Sequence, residues 1–98
     1  MAWTIILESE ERETIEKVSQ ILYHDLLYDE SFRIETNLIK YLDPYGDTVF
    51  NNLQIDDLIN DFLLFKEKGK DSSLIEEIIF LAKKCKIEPH TYLVFYGE

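Results

Sequence analysis

The chain has a single cysteine, Cys85, so no disulfide can form within it. That is consistent with a reducing compartment. Its three glycines, Gly46, Gly69 and Gly97, are scattered. Neither a Walker loop nor a Gly-x-Gly-x-x-Gly turn can be built from them, which removes the usual phosphate cradles. No apolar run approaches the ~20 residues of a membrane-spanning helix. Cations are scarce as well: ten Lys and Arg stand against twenty Asp and Glu, a formal charge of −10 over 98 residues. Such a surface repels phosphate, which argues against nucleic acid and against anionic membranes as partners. The opening stretch Met1 to Glu8 lacks a basic leader and carries too short an apolar run for a secretory signal. A cytoplasmic protein is expected.

What is present suffices for a core. Hydrophobic residues make up 46% and aromatics 13% of the chain, a folding composition and not a disordered one. Residues 1–98 fit one domain. Trp3, Ile5 and Leu7 alternate with Thr4 and Ile6, and both sets are largely apolar, as in a central strand over 3–8. Ser9 can cap a following helix whose first turn holds Glu10, Glu11 and Glu13, where the helix dipole favours anions. Ile15, Val18, Leu22 and Leu26 continue at helical spacing, and Glu13 with Lys17 makes an i,i+4 pair, so a first helix is expected over 10–28. Phe32, Ile34, Thr36 and Leu38 alternate with polar residues, predicting a strand over 32–40. Asp43-Pro44-Tyr45-Gly46-Asp47 then supplies turn chemistry, and Thr48 to Phe50 can return as a hairpin strand.

Ile55, Leu58, Ile59, Phe62 and Phe65 form an amphipathic stripe that predicts a second helix over 53–68, closed by Gly69. Ser73 and Glu76 have capping-box spacing, and Ile75, Ile78, Ile79, Ala82 and Cys85 give a third helix its apolar face. Lys83, Lys84 and Lys86 crowd its C-terminal end, and Pro89 forbids continuation. His90 to Tyr96 read as the last strand. The expected fold class is α+β, a small mainly antiparallel sheet packed against three helices in the order β-α-β-(β)-α-α-β.

The acidic residues divide by whether the fold explains them. Glu10, Glu11, Glu13, Glu76 and Glu77 fall at expected helix starts and need no partner. Asp25, Asp29 and Glu30 fall at the C-terminal end of the first helix, where the dipole disfavours anions. Asp57 and Asp61 are like charges at i,i+4, with Asp56 beside them. A solvated face that keeps the protein soluble accounts for these charges. A surface matched to a basic partner accounts for them too, with Tyr28 as an aromatic anchor. On that second reading the partner-binding residues are Asp25, Tyr28, Asp29, Glu30, Asp56, Asp57 and Asp61.

Catalytic chemistry has little support in the sequence. His24 and His90 stand apart, and no Cys-x-x-Cys or His-Glu-x-x-His occurs. Cys85 falls on an apolar helix face, as a small buried hydrophobe does. None of the serines sits in a Gly-x-Ser-x-Gly elbow. The expectation is a protein that is not an enzyme and uses neither cofactor nor metal.

The segment Leu42-Asp43-Pro44-Tyr45-Gly46-Asp47-Thr48-Val49-Phe50-Asn51, with Leu53-Gln54 and the closing His90-Thr91-Tyr92-Leu93-Val94-Phe95-Tyr96-Gly97, resembles a largely uncharacterised family of small acidic bacterial proteins. The likeness spans roughly residues 40–98. In size and charge the chain is similar to immunity proteins of bacterial toxin systems. The resemblance implies an immunity protein that binds a cognate basic toxin such as a nuclease. Asp43 and Asp47 have a structural role available in the turn itself. The alternative function is a small oligomeric structural or regulatory module without a toxin partner, and a homodimer fits either reading.

Overall fold

Alternating side chains make Ala2–Ser9 a strand, β1, that buries Trp3, Ile5 and Leu7 on one face. The computed structural model describes residues 2–23, 36–43, 45–69 and 72–97. After β1 come β2 (Thr14–Lys17), β3 (Leu22–Tyr23), a single 3₁₀ turn (Ile39–Tyr41) and β4 (Asp47–Phe50). Two helices, α1 (Ile55–Glu67) and α2 (Ser72–Ile87), and a final strand β5 (Thr91–Gly97) complete the described elements. The sheet runs β2-β1-β5-β4, with β3 pairing β1 as well, and every pairing is antiparallel. First and last strands are thus central neighbours, with Ile5 opposite Phe95 and Leu7 opposite Leu93.

Both helices contribute to one core with the inward side of the sheet. Ile55, Leu58, Phe62 and Phe65 of α1 and Leu74, Ile75, Ile78 and Cys85 of α2 share a cluster with Trp3, Leu7, Leu93 and Phe95. Phe95 stacks on Phe62 at 6.1 Å and 10°, and meets Phe50 edge-on at 5.5 Å. Offset and edge-to-face rings of this kind add to the area they bury. Asn51 accepts from the amide of Leu53, and the Gln54 side chain accepts from the amide of Asn51, which fixes the entry to α1. Gly69, at φ 76°, donates to the carbonyl of Lys66 and closes α1 as expected. No helix among the described residues is long and apolar enough to cross a membrane.

The α+β class and the antiparallel sheet agree with the sequence, but the described residues hold two α-helices and not three. The first helix expected over 10–28 is absent as far as Tyr23, and residues 24–28 lie outside the described part. Glu10 to Glu13 make a hairpin loop instead, and β2 and β3 line one edge of β1. The hydrophobic spacing misled because Val18 and Leu22 are buried as a helix would bury them, while Ile15 and Ile21 are exposed. A central strand needs hydrogen-bond partners on both edges, and that demand outweighs local helix preference. Ser9 still satisfies a backbone amide: its Oγ accepts from Glu13 N at 3.2 Å, inside a loop closed by Ser9 N to Glu13 O at 2.9 Å.

Of the strand expected over 32–40, residues 32–35 lie outside the described part, and Ile39–Tyr41 is a 3₁₀ turn. The returning strand β4 exists but pairs with β5, from Asp47 opposite Tyr96 to Phe50 opposite Leu93. The Asp43 turn forms as expected: Oδ1 accepts from Tyr45 N at 2.9 Å, and Trp3 Nε1 donates to the Asp43 carbonyl at 2.9 Å. A Cβ on Gly46 would lie 2.8 Å from Asp43 Oδ2, so a larger residue there would push the Asp43 carboxylate aside. The Ser73 and Glu76 capping box does not form. Ser73 already lies inside α2 and accepts from Gln20 Nε2, while Glu76 pairs with Lys66 at 3.0 Å.

Candidate functional site

Of the seven residues proposed to meet a partner, Asp25, Tyr28, Asp29 and Glu30 lie outside the described residues. The three on α1 do not share one surface role. Asp56 is exposed and takes Lys86 Nζ at 2.7 Å, and Asp57 is exposed. Asp61 is not on the surface at all: it is 0% exposed. Its Oδ1 accepts from Asn37 N at 2.8 Å and from Asn37 Nδ2 at 3.3 Å. Its Oδ2 accepts from Leu38 N at 2.7 Å and Ile39 N at 3.1 Å. The carboxylate caps the 3₁₀ turn and ties it to α1, so the repulsion expected between Asp57 and Asp61 on an exposed face has no surface to act on. A carboxylate with several backbone donors is stable when buried.

Glu10, Glu11 and Glu13 move the other way. With no helix start beneath them they lose the dipole that accounted for them, and all three are exposed on the β1–β2 hairpin. His90 Nδ1 lies 3.4 Å from Glu10 Oε2 and opposes it fully only when protonated.

The side of the sheet away from the helices carries a polar network that sequence patterning did not single out. β1 places Glu8 there, and β5 places Tyr92, Val94 and Tyr96 alongside it. Glu8 is 4% exposed. Tyr96 donates its hydroxyl proton to Glu8 Oε2, and Arg12 Nε donates to Glu8 Oε1 at 3.2 Å. A second Arg12 nitrogen donates to the Tyr96 oxygen at 3.3 Å. The Tyr96 phenol is held above its ordinary value, chiefly because its proton is shared with Glu8. Arg12 is likewise held in its charged form by Tyr96 and then Glu8. Arg12 has φ 67°, a left-handed conformation uncommon away from glycine. The hairpin loop therefore delivers the guanidinium to Glu8 through a backbone geometry that arginine does not favour.

Beside this network lies an open cavity of about 260 Å³, lined by Glu8, Glu10, Arg12, Val49, Tyr92 and Val94. Val94, 1% exposed, lies beneath it, and Val49 of the edge strand β4 stands beside Val94 in register. Three strands and the hairpin loop therefore converge on one small depression with two carboxylates, a guanidinium, an aromatic ring and an apolar floor. The signal available in the sequence was the alternation of Thr4, Ile6 and Glu8 on β1, which puts a carboxylate on the far face of a central strand.

Cys85 is buried as expected. Its Sγ lies 3.6 Å from the carbonyl of Thr91, and burial pushes the thiol pKa up, away from the reactive thiolate. Among the described residues no three His, Cys, Asp or Glu side chains are grouped to hold a metal ion. Comparison with protein-family models, with curated proteins and with solved structures gives no match to this chain.

Proposed function

We propose that this chain is a protein-binding module for a basic partner, in the form of an immunity protein that neutralises a cognate bacterial toxin such as a basic nuclease. The observation that carries the reading is the exposed trio Glu10, Glu11 and Glu13 on the β1–β2 hairpin. These like charges gain nothing from a helix dipole, and they account for three of the twenty acidic residues behind the net charge of −10. Charges that do not serve the fold are available to steer a positively charged protein. The binding surface accordingly centres on the hairpin and the adjoining sheet face, while on α1 Asp61 is structural and Asp56 and Asp57 remain exposed. Acidic side chains there would compete with phosphate for a nuclease surface, without catalysis and without a cofactor.

Co-expression with its cognate toxin is expected to restore growth. With the purified pair, Glu11→Lys combined with Glu13→Lys is expected to slow association by about tenfold at low salt. The same variant should flatten the dependence of association on ionic strength. Association unchanged by the double reversal would remove the hairpin from the interface.

The oligomeric alternative has one observation of its own. α1 and α2 leave Leu63 and Phe80 exposed at 43% and 57% on their outer side, around a groove also lined by Ile79. Sedimentation of the wild type against Phe80→Glu decides it: a dimer that dissociates on substitution favours the oligomer, and a monomer throughout excludes it.

A further inference from the structure

We infer that the sheet-face cavity is a receptor for a single arginine side chain of the protein partner, an inference that rests on the binding function proposed above and names what the partner must present. Its volume of about 260 Å³ falls below the ~300–1,000 Å³ of pockets that enclose a drug-sized ligand. One long side chain suits it better than a free metabolite. The lining matches a guanidinium on a hydrocarbon stem: Val49 and Val94 offer an apolar bed, and Tyr92 an aromatic ring. Glu10 lies at the rim with an exposed carboxylate that an arginine fork can engage with two parallel hydrogen bonds by displacing His90, whose Nδ1 lies 3.4 Å from Oε2. Glu8 already accepts from Tyr96 and Arg12, yet a carboxylate has about four acceptor sites, so capacity is left for a further donor.

Charge within the cavity points the same way. Glu8 and Glu10 outnumber Arg12 by one, so an incoming cation neutralises the site, whereas an incoming anion meets both carboxylates. Glu8 already pairs with a guanidinium from the chain's own hairpin, Arg12, which leaves Glu10 as the carboxylate that an incoming arginine would neutralise. The incoming arginine extends that arrangement toward Glu10 and Tyr92. Lysine suits the site less well, because its compact ammonium neither forks onto a carboxylate nor stacks as a plane on an aromatic ring.

The test is a titration of the full-length ¹⁵N-labelled protein with N-acetyl-arginine amide, followed by amide shifts. N-acetyl-lysine amide and N-acetyl-norleucine amide serve as controls. Saturable shifts centred on Glu8, Glu10, Arg12, Val49, Tyr92 and Val94, tighter for arginine than for either control, support the assignment. Glu10→Gln, at an exposed position that leaves the fold intact, should weaken the arginine probe by about threefold. Tyr92→Leu should weaken it by a similar factor, about threefold. Shifts scattered over the acidic surface without saturation, equal binding of lysine, or an affinity indifferent to Glu10→Gln overturns it. The two proposals fail separately. A basic partner that binds in a salt-dependent way but ignores both substitutions sinks the arginine site and leaves the binding function. Arginine captured in the cavity, with no basic protein partner found, sinks the binding function and leaves the site.

Discussion

The two sides of the sheet each keep a carboxylate out of water, and they do so by different means. On the helix side Asp61 is held by the backbone amides of Asn37, Leu38 and Ile39. On the open side Glu8 is held by the side chains of Tyr96 and Arg12. Backbone donors in a 3₁₀ turn cannot withdraw without unfolding the turn, so Asp61 belongs to the scaffold. A phenol and a guanidinium are carried by rotatable side chains, so the donors of Glu8 are not fixed by the backbone as those of Asp61 are. Charge and burial alone therefore do not separate an acid fixed by the backbone from one held by side chains. The nature of its donors does.

The comparison breaks most easily at Asp61. Asp61→Ala removes the acceptor of the Asn37, Leu38 and Ile39 amides, of which the Ile39 bond is fully buried, and is expected to cost about 2–4 kcal/mol in urea unfolding. A loss below about 1 kcal/mol would mean that the 3₁₀ turn is anchored elsewhere.

On the open side the effect is smaller and depends on pH. Tyr96→Phe removes one donor from Glu8 and is expected to cost about 1–2 kcal/mol at neutral pH. The phenol pKa is raised above 10.0 by its bond to Glu8, so that contribution is complete below 10.0 and disappears as pH rises through the folded value. Unfolding free energies measured from neutral to strongly alkaline pH should show this loss in the wild type and not in Tyr96→Phe. Parallel curves for the two proteins would remove Tyr96 from the network.

The finest distinction lies at Arg12, which has both a useful side chain and an unfavourable φ of 67°. Arg12→Gly loses the bonds but relieves the backbone, whereas Arg12→Ala loses the bonds and keeps the strain. The glycine variant is expected to melt at the higher temperature, and the reverse order would show that the loop bears no strain at Arg12.

Much of the architecture was legible in the residue pattern. Trp3, Ile5 and Leu7 give β1 its buried face, and the stripe from Ile55 to Phe65 gives α1. Gly69 and the Asp43 turn act as their local chemistry demands. The misreadings of the sheet share one cause. Residues 10–23 and the partner of β4 depend on which strand edges stand open, and local spacing carries no record of distant edges. Asp61 and Glu10 were misplaced for the same reason: the first is covered by a turn more than twenty residues away, and the second lies exposed on a hairpin where a helix start was expected.

By itself the sequence determined the negative surplus, the α+β class and the central strands, because charge, two-residue alternation and helical stripes are properties of neighbouring residues. Only the tertiary structure decided which carboxylates remain available to another molecule. Burial and hydrogen-bond donors are supplied by residues far apart in the chain, and Glu8 meets Tyr96 only because the first and last strands lie side by side.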